Sequence, residues 1–270
     1  MKKPPMFLFF ACVLFAVFVL PLKAFAIDDE AMVHVPAGWF QMGCNKNTDP
    51  DCFESEMPAH GVWLDGFWID KYEVTFQRYE ACVAAGKCEP LGVGGGCNYL
   101  WPGSELKPVN CVTWYNARQM CRWEGKQLPT EAQWEKAARA NTQSLYPWGN
   151  KKPNCKLADM DSANGGNLAC GKGSPGNVGS KPKGASPYGA MDMAGSMWEW
   201  TNDWYEHFYY YRSPLINPKG PNMWHQNNTM LKTARGGDIY ARKAEELRSV
   251  TRFPYAPENY SPAVGFRCAM

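Results

Sequence analysis

The sequence predicts an α+β fold, loop-rich and cross-linked by disulfides. Three observations carry this. All the well-capped helical patterns fall before residue 140, and short strand patterns broken by Gly, Pro and Asn fill the rest. The cysteines become even in number once an N-terminal leader is set aside.

The leader comes first. Lys2 and Lys3 precede an apolar run from Met6 to Leu20, and Ala24-Phe25-Ala26 supplies a small-x-small cleavage signal. Residues 1–26 therefore read as a signal peptide and residues 27–270 as one domain. The apolar run is short for a bilayer, which needs about 20 residues. Of 11 cysteines, Cys12 leaves with the leader, and ten thiols bound for an oxidising compartment suggest five disulfides. No Cys-x-x-Cys is present, so neither a zinc ribbon nor a thioredoxin-like motif is indicated.

The mature chain loses Lys2, Lys3 and Lys23, so 25 of the 28 basic residues face 26 acids. This near-balance offers no electrostatic footprint for nucleic acid or an anionic membrane. With 12 Trp, 25 Gly and 21 Pro, the composition excludes disorder and argues against a helix bundle.

Along the chain, residues 33–42 read as a hairpin around Pro36-Ala37-Gly38, and residues 62–69 as a second strand pair around Asp65-Gly66. Thr75 caps a helix running to about Ala85, with Gly86 as its stop and Phe76, Tyr79 and Val83 on one face. Thr113 caps a second, with Trp114, Ala117, Met120, Cys121 and Trp123 as its buried stripe and Gly125 as its end. Thr130-Glu131-Ala132-Gln133 is a capping box opening a third, with Trp134, Ala137 and Ala138 turned inward. No linker or solenoid repeat divides the chain.

Specific motifs begin at Pro108-Val109-Asn110-Cys111 and continue through Cys121-Arg122-Trp123-Glu124-Gly125-Lys126-Gln127-Leu128-Pro129-Thr130-Glu131-Ala132-Gln133-Trp134-Glu135. Tyr146-Pro147-Trp148-Gly149-Asn150, Asp192-Met193-Ala194-Gly195, Met197-Trp198-Glu199-Trp200, Arg235-Gly236-Gly237 and Gly265-Phe266-Arg267-Cys268 follow in order. Together they resemble the formylglycine-generating enzyme family, also called sulfatase-modifying factors, over about residues 31–270. The resemblance implies that family's variant of the C-type-lectin-like fold. It also implies a Cys121–Cys268 disulfide, which in a chain-entropy picture contributes about 5 kcal/mol. For the other eight thiols, whose connectivity a sequence does not fix, local pairing is expected: Cys44–Cys52, Cys82–Cys88, Cys97–Cys111 and Cys155–Cys170.

The family's catalytic members hold copper with two cysteines after Arg-Gly-Gly-Ser and oxidise a substrate cysteine. Thiolates are the soft ligands that select Cu(I). Here Asp238 stands in the serine position, Ala241 in the first cysteine position and Glu246 in the second, with no cysteine between Cys170 and Cys268. Copper is not expected. Asp238, Arg242, Glu246 and Trp198 are the candidates for a remodelled pocket, set against an ordinary solvated loop and a core tryptophan.

Resemblance also implies a structural calcium held by Asp192, Gly195, Met197 and Glu199, the outer two through side chains and the inner two through carbonyls. Calcium takes six to eight hard oxygens in flexible geometry. Ser196 replaces the usual Asn, a change expected to loosen this loop. A second family calcium site aligns at Asp159 and the Met160 carbonyl. The segment Asp203–Arg212 is dense in rings, which suits either core packing or a binding platform, and packing is the expected use. His34, His60, His207 and His225 show no metal-ligand spacing, and Asn227-Asn228-Thr229 is a glycosylation sequon.

The sequence reading is a secreted or periplasmic binding or accessory protein for a protein, peptide or glycan ligand. Its rival is an oxidase acting on protein or peptide side chains through an altered site.

Overall fold

The computed structural model describes Met1 and residues 31–98, 102–161, 168–222 and 230–270. The expected signal peptide beyond Met1, the sequon and His225 lie outside the described residues.

The first strands are β1 (Met32–Val35), β2 (Gly38–Met42), β3 (His60–Leu64) and β4 (Phe67–Asp70). They do not form the two local hairpins expected. β1 pairs with β4, placing Met32 opposite Asp70 and Val35 opposite Phe67. β2 pairs with β3, placing Gly38 opposite Leu64 and Met42 opposite His60. The register passes from one ladder to the other without a slip, so residues 32–42 and 60–70 form one long antiparallel ribbon pinched in the middle. Pro36 explains both facts. It has no N–H for the ladder, and its fixed negative φ denies the positive-φ turn a two-residue hairpin requires. At the pinch the Lys136 ammonium donates to the Pro36 and Gly38 carbonyls, at 2.8 and 2.9 Å.

The three helices form where expected: α1 (Phe76–Ala84), α2 (Trp114–Trp123) and α3 (Glu131–Arg139). Thr75, Thr113 and Thr130 each accept from the backbone N–H three residues on. Gln133 returns the bond to the Thr130 N–H at 2.8 Å, completing the capping box. α1 and α2 pack Tyr79, Ala117, Met120 and Cys121 against Trp200 and Phe266. Unlike the other two, α3 is buried all round, Glu131, Glu135, Lys136 and Arg139 included. A one-turn helix, α4 (Leu168–Gly171), follows.

The late strands are β5 (Trp198–Trp204), β6 (Lys232–Arg235), β7 (Arg252–Tyr255) and β8 (Val264–Gly265). Their sheet runs β7-β6-β5-β8, antiparallel except for the parallel β5–β8 edge. Five disulfides close, with the pairing expected: Cys44–Cys52, Cys82–Cys88, Cys97–Cys111, Cys121–Cys268 and Cys155–Cys170. Among the described residues no helix is long and apolar enough to cross a membrane.

Candidate functional site

β6 ends by sending Arg235 into the core. Its guanidinium reaches Glu131 Oε1 at 2.6 Å, Glu135 Oε2 at 2.7 Å and the Ser249 carbonyl at 2.6 Å. Arg252 grips the Glu131 carboxylate from the other side, at 2.7 and 3.0 Å. Burial opposes ionisation of both glutamates, but Arg252 and Arg235 hold Glu131, and Arg139 and Arg235 hold Glu135, below the usual carboxylate range. The Arg of Arg-Gly-Gly is thus a structural anchor between sheet and helix.

Gly236 and Gly237 then turn the chain through φ values of +103° and +75°. A Cβ on Gly237 would stand 2.6 Å from the Glu246 carbonyl oxygen. Only glycine lets the Ala244–Leu247 turn approach so closely, and that approach brings Glu246 beside Asp238. Asp238 Oδ1 accepts from the Tyr240 N–H at 2.9 Å, and the Trp198 indole also donates to its carboxylate. Burial first, with Glu246 adding its charge, pushes Asp238 up to about 6. Glu246 Oε2 accepts from the N–H groups of Arg242 and Lys243, at 2.8 and 3.2 Å.

These residues line a groove of about 440 Å³. Trp198, Asp238, Ala241 and Glu246 all face it, together with Phe53, Tyr240, Thr251, Arg252 and Phe253. Three of the four pocket candidates from the sequence are therefore brought together, along with both former cysteine positions. Arg242 is not among the lining residues; it is largely exposed and pairs with Asp161 Oδ2 at 2.9 Å. Trp198 is no simple core ring: half-buried, it stacks on Phe253 with centroids 4.9 Å apart and planes 23° from parallel. Sequence reasoning missed Phe53, Tyr240 and Phe253. The alternating rings of Phe253 and Tyr255 on a short strand are the one signal that pointed toward them. In the ring-dense segment, Tyr209 and Tyr210 are buried, leaving Phe208 and Tyr211 exposed.

Beside the groove lies the Asp192–Glu199 loop, tied to it by Gly195 N–H on the Gly236 carbonyl (2.9 Å) and Ile239 N–H on the Ser196 carbonyl (3.1 Å). Asp192, Gly195 and Ser196 all take positive φ. Asp192 Oδ2 accepts from Gly179 N–H at 2.6 Å. Both Glu199 oxygens accept from Arg267 at 2.6 Å, and Oε2 also accepts from the Trp134 indole at 2.9 Å. Glu73, fully buried, accepts from Ser196 Oγ at 3.0 Å through Oε2, while its Oε1 meets no donor among the described residues. Ser196 thus ties the loop rather than loosening it. Burial and the neighbouring acids raise Glu73 well above the usual range, and burial pushes Asp192 up to about 6. Arg267 lies among the buried Glu73 and Glu199 and the half-buried Asp192, bonding of the three only to Glu199, and one Glu73 oxygen lacks a partner. Carboxylate oxygens of this kind are the hard donors that calcium takes, although Arg267 already engages both oxygens of Glu199.

At Asp159 the arrangement differs. Lys181 Nζ sits 2.9 Å from Asp159 Oδ1, Gly176 N–H donates to Oδ2 at 2.8 Å, and Cys170 N–H occupies the Met160 carbonyl at 2.9 Å. A built-in ammonium thus pairs with Asp159 there, as Arg267 pairs with Glu199 at the first site.

An early ribbon, three Thr-capped helices and a late four-stranded sheet, joined at a glycine turn beside an open groove, define a sulfatase-modifying-factor type of domain. The chain belongs to the sulfatase-modifying factor enzyme 1-like domain family, which it matches over residues 21–270. It is 30% identical to the formylglycine-generating enzyme of Mus musculus over 88% of this chain and 74% of the relative. It is 29% identical to the inactive C-alpha-formylglycine-generating enzyme 2 of the same species, over 90% of this chain and 86% of the relative. Among solved structures, PvdO from Pseudomonas aeruginosa superposes with a TM-score of 0.71 at 26% identity, covering 88% of this chain and 93% of that one.

Proposed function

We propose that this protein is a secreted or periplasmic binding or accessory domain that holds its ligand in the Trp198–Asp238–Glu246 groove, without copper oxidase chemistry. One observation carries the reading: all ten cysteines among the described residues are tied in disulfides, and the groove presents Ala241 and Glu246 where the family's oxidases hold two thiols. A carboxylate is a hard oxygen donor and a poor host for Cu(I). The relative named as inactive lends support as a precedent for the scaffold without the activity. Five disulfides fit an oxidising compartment.

Calcium belongs to the same reading as a scaffold ion. Asp192 and Glu199 would hold it with the Gly195 and Met197 carbonyls, and Glu73 lies close enough to share its charge. When bound it supplies positive charge to a carboxylate-rich interior. The residues themselves fasten the loop to Gly236 and Ile239, and so hold Asp238 and Trp198 in place.

A second reading, an enzyme acting through the remodelled groove, is favoured by Asp238, whose carboxyl near 6 suits general acid–base work. Oxygen uptake by the copper-treated full chain, offered a Cys-x-Pro-x-Arg peptide, separates the readings. The binding reading expects no uptake above the metal-free control, and sustained turnover overturns it.

A further inference from the structure

Building on the binding reading, we infer that the groove is selective for an organic cation, an ammonium or guanidinium carried on an apolar or planar body. Among the groups that face the groove, two kinds attract positive charge. Asp238 and Glu246 both line it, close enough together that Glu246 raises the Asp238 carboxyl. The rings of Trp198, Phe253, Phe53 and Tyr240 also line it, with Arg248 already over the Phe53 ring at 5.3 Å, and the face of an aromatic ring carries partial negative charge.

The basic residues nearby do not neutralise these acids. Arg252 lines the groove, but its Nε and Nη2 are held by Glu131 and its Nη1 by the Ser55 and Glu206 carbonyls. Arg242 pairs away from the groove with Asp161, and Lys243 reaches only Glu245, at 3.8 Å. Among the described residues no side-chain cation pairs with Asp238 or Glu246. The Thr251 hydroxyl, which also lines the groove, donates to the Glu245 carbonyl at 2.9 Å.

A neutral sugar could stack on the rings, but it would strip water from two carboxylates without returning countercharge, which is costly. A cation answers both features at once, pairing with the acids while its body lies against the Trp198–Phe253 stack. The rings that flank the groove are partly exposed, Phe53 at 51% and Phe253 at 37%, so a ligand reaches them without a large rearrangement.

Such a group could arrive on a peptide or as a free amine, and the experiment separates these. Calorimetric titration of the full chain would use N-acetyl-arginine amide, agmatine, N-acetyl-citrulline amide (the neutral isostere of the first) and cellotriose. Both guanidinium compounds are expected to bind, more weakly as salt rises, and the citrulline compound at least about tenfold more weakly. Tighter binding of the arginine amide than of agmatine marks a peptide source, and the reverse marks a free amine. Glu246→Gln and, separately, Asp238→Asn, each checked for an unchanged melting transition, should weaken the guanidinium compounds by about tenfold and leave the citrulline compound unmoved. Equal affinity for arginine and citrulline, tighter binding of cellotriose, or no heat with any guanidinium at millimolar concentration overturns the cation assignment. Equal affinity or a preference for the sugar still leaves a ligand-binding groove, whereas copper-dependent turnover sinks the binding reading itself.

Discussion

The Trp198 ring on β5 lies against the Phe253 ring on β7, centroids 4.9 Å apart, although β6 runs between their strands. Ala234 makes this possible. It sits opposite both Trp200 and Phe253 in the register, so its methyl group shares their face of the sheet and is too small to keep the rings apart. The same face carries the Trp200–Tyr255 contact, at 5.3 Å. A row of rings therefore runs from the core to the groove.

Removing one ring tests that row. Phe253→Ala should lower stability by about 1 kcal/mol through the lost ring pair and shift tryptophan emission as Trp198 gains water. Urea denaturation followed by fluorescence reads both. An unchanged midpoint and spectrum would mean that the stack contributes nothing.

Arg235 carries a larger share. Arg235→Met leaves Glu131 and Glu135 buried with fewer partners, and breaking a buried ion pair from one side costs about 3–5 kcal/mol. Lysine cannot reproduce the fork that spans both glutamates, so Arg235→Lys should also destabilise. Denaturant midpoints check this, and a loss below about 1 kcal/mol for the methionine variant would contradict the anchoring role.

Asp203 gives a pH signature. Burial, and then the negative charge of Glu131, push its carboxyl from 3.8 up to about 7, against the pull of the Glu131 N–H, Lys232 and Arg252. Between those values the folded protein holds a proton that the unfolded chain releases, so this group's contribution to stability falls as pH rises from about 4 to about 7. Asp203→Asn keeps an acceptor for the Glu131 N–H, at 2.9 Å in the native protein, and loses the titration. The stability difference, native minus Asp203→Asn, should decline through that window and level off above it. A flat difference from pH 4 to 8 would refute the assignment.

Calcium is best tested at Asp192. Glu199 is less informative, because its removal also strips Arg267 of both carboxylate contacts. Chelation should lower the melting temperature by several degrees, where each kcal/mol corresponds to about 2–4 °C in a domain this size. Asp192→Ala should melt lower from the start and ignore the chelator. Native protein that melts identically with and without chelator would remove calcium from the scaffold.

Much of this was legible in the sequence, and the reasons are physical. Thr75, Thr113 and Thr130 announce helix starts because capping is a local interaction, and the disulfide pairs lie near one another in sequence apart from Cys121–Cys268. The ribbon was not legible. Strand patterns reveal that residues 33–42 extend, but the partner is chosen by turn geometry, and Pro36 forbids the nearest choice. The burial of the polar side of α3 was equally hidden, since Glu131 and Glu135 look like surface residues until Arg235 and Arg252 arrive from about a hundred positions away. At the groove, the departures at Asp238, Ala241 and Glu246 could be read directly, whereas Phe53 and Phe253 meet only through tertiary folding.

The most direct test is a competition titration of the full native chain with Cu(I) against a chromophoric chelator, with free thiols counted on the same sample. The groove described above should leave the chelator's copper in place, with no free thiol among the ten cysteines from Cys44 to Cys268. Stoichiometric withdrawal of Cu(I) by the protein, abolished by Glu246→Gln, would contradict it.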